Sequence, residues 1–299
     1  MIRRTSYADL PRPLVTELAD AGLDPLDVYI MVAGAFAEDL PPGTHDVTSS
    51  ALPPMGEATG DLAAREAGVV AGLAVAELAF VYAMGEEVTV ADRLPDGTRV
   101  GPGDVVLQVS GPVADLLTAE RTALNFASHL SGVATATAHW VEALAGTRAR
   151  VLDTRKTLPT FRALQKYAVR CGGGVNHRFG LADRAMVKDN HVVAAGGVVP
   201  AYEAVRAANP GLRVEVEVTD LEQLGELLAV GCTEILLDNM DTATMAEAVR
   251  LTAGRATLEA SGGLTLERAR EVAETGVDFI SVGALTHSVK VFDLGLDLR

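Results

Sequence analysis

The stretch VLDTRKTLPTFRALQKYAVRCGGGVNHR, residues 151–178, concentrates cations in an acidic chain. Between Arg148 and His191 lie ten of the 25 Lys and Arg but only three of the 40 Asp and Glu. This segment is therefore +7, the whole 299-residue chain −15 and the remainder −22. A solvated face mixes its signs, so a local excess of this size is expected to hold an anion. Arg155, Lys156 and Lys188 stand at its centre. Further along, Glu217 and Asp238 offer carboxylates suited to Mg²⁺ or to a positive charge that develops during reaction. ASGG (260–263) and SVGALTHS (281–288) offer glycine turns through which backbone amides can approach a phosphate. A substrate with a phosphate at one end and a polyanion at the other fits this set.

Such residues need a frame. From residue 151 a short apolar strand, a polar turn and a helix-period segment recur, with strands starting near Val151, Ala185, Arg213, Ile235, Thr257 and Phe279. Strands that alternate with helices at this spacing predict a parallel sheet, and six such units suggest a barrel. In parallel barrels the functional groups lie past the C-terminal strand ends. Thr154, Arg155, Lys156, Lys188, Glu217, Asp238, Ser261, Gly262, Gly263 and Gly283 all fall at those ends. In RVEVEV the valines share one face and Glu215 and Glu217 the other. Deeper along their strands, Glu215, Glu259 and Asp153 read as an interior ionic layer that pairs with Lys and Arg.

The earlier part reads as a smaller α+β domain, with helices near Leu14–Leu18 and Pro25–Glu38 and strands within VTVADRL and GDVVLQVSG. A helix over Leu124–Gly146 leads into the barrel. The expected domains are 1–125 and 126–287, with the tail 288–299 packing back on the first. GVVAGLAVAELAFVYAMG (68–85) is apolar, but Glu77 at its centre argues against a bilayer; it reads as a buried strand running into a core helix. Cys171 and Cys232 are too few for a disulfide framework or a four-ligand zinc site. The N-terminus lacks the apolar run of a signal peptide, so a cytoplasmic setting is expected. The −22 remainder and sparse aromatics argue against nucleic acid. His129 and His139 read as helix surface or packing, while His191 is left open. Lys156 or Lys188 as a Schiff-base lysine of an aldolase-type barrel is the rival enzymatic reading.

The motifs ERTALNFASHLSG, LDTRKTLP, GGGVNHRFGL, KDNH, VEVEV, LLDNM, EASGG and ISVGALTHS occur in order. Together they resemble the nicotinate-nucleotide pyrophosphorylase (carboxylating), or quinolinate phosphoribosyltransferase, family from about Gly43 to Ser288. One departure is HDVT where GDLT is more usual. The resemblance implies a small N-terminal α+β domain followed by an incomplete, six- to seven-stranded parallel α/β barrel. It also implies transfer of phosphoribose from phosphoribosyl pyrophosphate to quinolinate with decarboxylation, in a cytoplasmic homodimer whose further assembly it leaves open. By the same resemblance Arg155, His177 and Arg178 bind quinolinate, with Arg121 reaching in from the other subunit. Thr154, Lys156, Lys188, Ser261, Gly262, Gly263, Gly283 and His287 bind phosphoribosyl pyrophosphate. Glu217 and Asp238 hold Mg²⁺, and with Lys156 they carry the catalysis. No organic cofactor is implied. A related pyrophosphorylase associated with molybdate transport is similar too, but the paired carboxylate-binding residues favour quinolinate.

Overall fold

A computed structural model describes all residues except Met1, Leu52 and Pro54. The chain divides into two compact units, Met1–Ala136 with Pro159–Gly173 and Val289–Arg299, and Thr137–Leu158 with Gly174–Ser288.

In the first unit α1 (Arg12–Asp20) and α2 (Pro25–Asp39) precede β1 (Glu57–Ala64) and β2 (Gly68–Val69). They are followed by α3 (Leu73–Met84), β3 (Thr89–Ala91), β4 (Arg99–Val100) and β5 (Val105–Pro112). Pro25 at the first turn and the Asp24 carboxylate, which accepts from the Leu26 amide at 2.9 Å, start α2. The apolar 68–85 segment is β2 running into α3, whose residues other than Glu77 are buried. Glu77 is ion-paired with Arg93 at 2.7 Å. No helix among the described residues is long and apolar enough to cross a membrane. The strand expected in VTVADRL is only three residues long and stops before Asp92, which sits in the left-handed region at φ 47°.

The helix expected from Leu124 starts at Val113. This α4 (Val113–Ala143) follows β5 directly and runs 31 residues, about 46 Å at 1.5 Å per residue. The segment VADLLTAER already has helical periodicity, and nothing between it and Leu124 breaks the backbone. Its N-terminal part to Ala136 belongs to the first unit, as does α5 (Arg162–Cys171).

The second unit holds six parallel strands: β6 (Arg150–Leu152), β7 (Ala185–Val187), β8 (Val214–Val218), β9 (Glu234–Asp238), β10 (Thr257–Ser261) and β11 (Phe279–Ser281). Between β7 and β11 come α6 (Asp189–Ala195), α7 (Val198–Ala208), α8 (Leu221–Ala229), α9 (Thr242–Thr252) and α10 (Ala269–Glu274); the single turn α11 (Ala284–His287) follows β11. The strand order is β6-β11-β10-β9-β8-β7. First and last strands are thus neighbours while β6 and β7 are not paired, which is a barrel left open between its first two strands. A lone bridge between Leu152 and Val175 extends the β6 end. Asp220 and Asp241 cap α8 and α9 just past strand ends, accepting from the Gln223 and Thr244 amides at 2.9 and 2.7 Å. The tail forms β12 (Leu294–Leu298), antiparallel to β1 in the sheet β12-β1-β5-β3 of the first unit.

Candidate active site

Every site residue named from the sequence except Arg121 lines one cavity of about 760 Å³ in the second unit. Arg121 lies exposed on α4 within the first unit. Nor do all the clustered cations converge: Arg162, Lys166 and Arg170 belong to α5, and Arg148 pairs with Asp278 at 3.1 Å. Sequence proximity overstated the shared role, because the chain between β6 and β7 crosses from one unit to the other and back.

The cavity floor and walls follow from strand alternation. Glu217 on β8, Asp238 on β9 and Ser261 on β10 stand at the C-terminal ends, with Asp238 and Ser261 in direct register. Two residues back, about 6.6 Å lower, Glu259 and Leu236 form the next tier. The buried valines of β8 leave Glu215 and Glu217 no other face.

Lys188 spans part of the mouth. Its Nζ lies 2.5 Å from Glu217 Oε2, one of the two partners being nearly half exposed and the other buried. His191, undecided from sequence, accepts the Lys188 amide on Nδ1 at 2.9 Å and so fixes the turn that presents the lysine. Lys156 donates its amide to Thr154 Oγ1 at 3.0 Å, and its carbonyl accepts from Thr286 Oγ1 at 2.7 Å. Gly283 has ordinary φ but no room for a side chain: an added Cβ would lie 2.9 Å from Lys156 Cδ and 3.1 Å from His287 Nε2. The lysine stem therefore passes over that glycine.

The arginines are held under charge stress. Arg155 buries an Nε with no hydrogen-bond partner among the described residues. The Arg178 pKa is lowered by burial and then by Arg155 beside it. Two guanidinium groups that repel each other in a cavity, one with an unused buried donor, suit a ligand carrying more than one carboxylate.

At the turn after β10, Gly262 has φ +95°, and a Cβ there would meet Asn239 Oδ1 at 2.3 Å. The amides of Gly262 and Gly263 donate to no protein group among the described residues. The next α-helix begins only at Ala269, beyond a 3₁₀ turn at Leu266–Arg268, so any phosphate binding here rests on turn amides. Asn239 escaped notice in the sequence. It takes the left-handed conformation at φ 54°, donates Nδ2 to Asp238 Oδ2 at 2.8 Å and its amide to the Ser261 carbonyl at 2.9 Å. An Asn directly after a rim Asp was the available signal, since Asn tolerates left-handed geometry.

Below lies an ionic layer. His177 Nε2 is 2.9 Å from Glu215 Oε2 and 3.3 Å from Glu259 Oε2. Glu215 also pairs with Arg184 at 3.0 Å, and Arg184 with Glu234 at 2.6 Å. Asp153 accepts the His177 amide at 2.9 Å and Asn176 Nδ2 at 2.5 Å. Burial would lower the His177 pKa, but its hydrogen-bonded glutamates outweigh this and push it up to about 9. His177, Glu215 and Glu259 are the one group of three or more His, Cys, Asp or Glu that come within 4.8 Å of one another among the described residues. They are engaged with each other and with Arg184, so a cation finds better prospects at the rim. There Glu217, although it pairs with Lys188, and Asp238 turn carboxylates toward the cavity.

Residues 46–131 match the family model of the quinolinate phosphoribosyl transferase N-terminal domain, and residues 133–297 that of its C-terminal domain. A nicotinate-nucleotide pyrophosphorylase [carboxylating] from Mycobacterium leprae is 52% identical over 269 residues, covering 88% of this chain and 94% of its own. NadC from Streptococcus pyogenes superposes with a TM-score of 0.87 at 42% identity, over 93% of this chain and 99% of that one. The nicotinate-nucleotide pyrophosphorylase of Francisella tularensis does so with 0.84 at 34% identity, over 97% and 98%. Matched in both domains, and more than half identical to a relative across nearly nine-tenths of its length, the chain belongs to the quinolinate phosphoribosyltransferase family.

Proposed function

We propose that this chain transfers phosphoribose from phosphoribosyl pyrophosphate to the ring nitrogen of quinolinate, with loss of CO₂, to give nicotinate mononucleotide and pyrophosphate. The observation that carries this reading is the cavity in which Arg155 and Arg178 face the same space as the Gly262–Gly263 turn. Such a space accepts a diacid and a sugar phosphate together. Arg155 and Arg178 bind the two carboxylates, the turn amides with Ser261 take the 5-phosphate, and Lys156 and Lys188 meet the pyrophosphate.

The pyridine nitrogen attacks the ribose C1 as pyrophosphate leaves. Glu217 and Asp238 stabilise the positive charge that spreads over the sugar, so most of the acceleration is electrostatic and positional. Mg²⁺, when bound, neutralises charge on the leaving pyrophosphate. The quaternised ring then withdraws electrons from the adjacent C2 carboxylate, which departs as CO₂. Arg121 is assigned to the site of a second copy in a cytoplasmic homodimer. For Lys188 the aldolase alternative loses ground because that lysine is ion-paired with Glu217, where a Schiff-base lysine needs a neutral amine.

The test is incubation with Mg²⁺, phosphoribosyl pyrophosphate and quinolinate. Stoichiometric CO₂, pyrophosphate and nicotinate mononucleotide are expected. Failure to release pyrophosphate would remove the assignment.

A further inference from the structure

Decarboxylation leaves a debt the residues so far described do not settle. When the C2–carboxyl bond breaks, its electron pair stays on C2 of the ring, and one proton must arrive there to give the product. This requirement rests on the reaction proposed above. The donor has to reach the ring from inside the cavity, near the groups that hold the carboxylates.

Glu259 is placed for it. It lines the cavity but is only 3% exposed, one tier below Ser261, with Leu236 and Met186 supplying apolar surroundings. Its Oε2 is buried and stands 3.3 Å from His177 Nε2. The hydrogen on that nitrogen is already committed. His177 Nδ1 faces the Arg178 amide at 2.6 Å, so Nε2–H is the one ring hydrogen turned toward the two glutamates. That hydrogen is given to Glu215, 2.9 Å away and already ion-paired with Arg184. A second anionic carboxylate buried beside Glu215 and sharing that one Nε2–H would be costly, because two adjacent negative charges would face a single hydrogen. Glu259 avoids the cost by keeping a proton.

We propose that Glu259, seated against His177 on the cavity floor, donates the proton that replaces CO₂ at C2 of the ribosylated ring. The Glu259 O–H bond breaks as the C2–H bond forms, and the oxygen keeps its electron pair. His177 Nε2–H then stands ready to stabilise the new carboxylate, and water entering through the mouth restores the proton. Burial raises the Glu259 pKa, and His177 is pushed up to about 9. Each shift is in the direction of a group that keeps its proton. The charged and titratable groups around the pair are Glu215 on β8, Arg184 before β7, Asp153 after β6, and Arg155 and Arg178 at the wall.

The experiment separates the two halves of the reaction. Single turnovers with Mg²⁺, phosphoribosyl pyrophosphate and quinolinate are quenched, and pyrophosphate, the ribosylated diacid and nicotinate mononucleotide are counted. Glu259→Gln should release pyrophosphate within about 3-fold of the unaltered rate. It should accumulate the ribosylated diacid and form nicotinate mononucleotide about 10²-fold more slowly, the scale of a lost general acid. Glu259→Asp should recover part of that loss. Equal slowing of both steps, or of neither, overturns the inference and leaves the proposed reaction standing. Absence of pyrophosphate from the unaltered chain overturns both. Should the variants not fold, the unaltered chain decides: as pH is raised far enough to take the proton from Glu259, the ribosylated diacid must build up. No accumulation there sinks the proposal.

Discussion

Arg178 and Lys156 are each in the cavity for their charge, and each should fail differently when truncated. Removing the Arg178 guanidinium leaves one substrate carboxylate unpaired beside Arg155, an effect on the order of 2–5 kcal/mol for a buried charge pair. Arg178→Ala is expected to raise the KM for quinolinate steeply and nearly abolish turnover at ordinary substrate concentrations. Lys156→Ala should instead reduce kcat, because its partner is the departing pyrophosphate. Steady-state kinetics with each substrate varied in turn checks both, and normal rates in both would remove the assignment. Gly262→Ala combines a forbidden φ of +95° with a Cβ 2.3 Å from Asn239 Oδ1. A strained backbone of this kind costs about 1–3 kcal/mol, and displaced turn amides should raise the KM for phosphoribosyl pyrophosphate more than that for quinolinate. The rim residues were legible because each is a charged or glycine residue at the end of an apolar run. His191 and Asn239 were not, since their work is to hold a neighbour in place, which leaves no mark of composition.

At the scale of elements, the strands of the second unit were readable to within a residue or two. Strands covered on both sides are spelled as short apolar runs such as ILL and ISV, and the intervening helices leave a regular spacing. The beginning of α4 was hidden because β5 passes into it without a loop. The pairing of β12 with β1 is equally silent, as register between segments more than 200 residues apart is set by packing and not by local pattern. The ionic layer ties the elements together: Arg184, ahead of β7, bridges Glu215 on β8 and Glu234 on β9. Arg184→Met removes one cation from two buried carboxylates and should destabilise the chain by about 3–5 kcal/mol. The loss should appear as a lower urea midpoint with an unchanged slope.

For the molecule as a whole, His177 makes folding sensitive to alkali. Its pKa rises from 6.5 to about 9 on folding, so the folded state holds a proton that the unfolded chain releases. The stabilisation is complete below pH 6.5 and is lost as pH climbs through about 9. Melting temperature is therefore expected to fall across that window in the unaltered chain. In His177→Gln the fall should be shallower.

The unclosed row of strands has a further cost. A cylinder that joins end to end has no flank, whereas this row ends at β6, whose outer edge Val175 partly takes, and at β7. Each is only three residues long, and Arg150 and Lys188 stand beside them. Brevity and charge are what keep such flanks from templating fibrils between molecules. Lengthening Ala185–Val187 by a few β-branched residues would spend that protection, and purified chains would then be expected to stack by their edges on concentration.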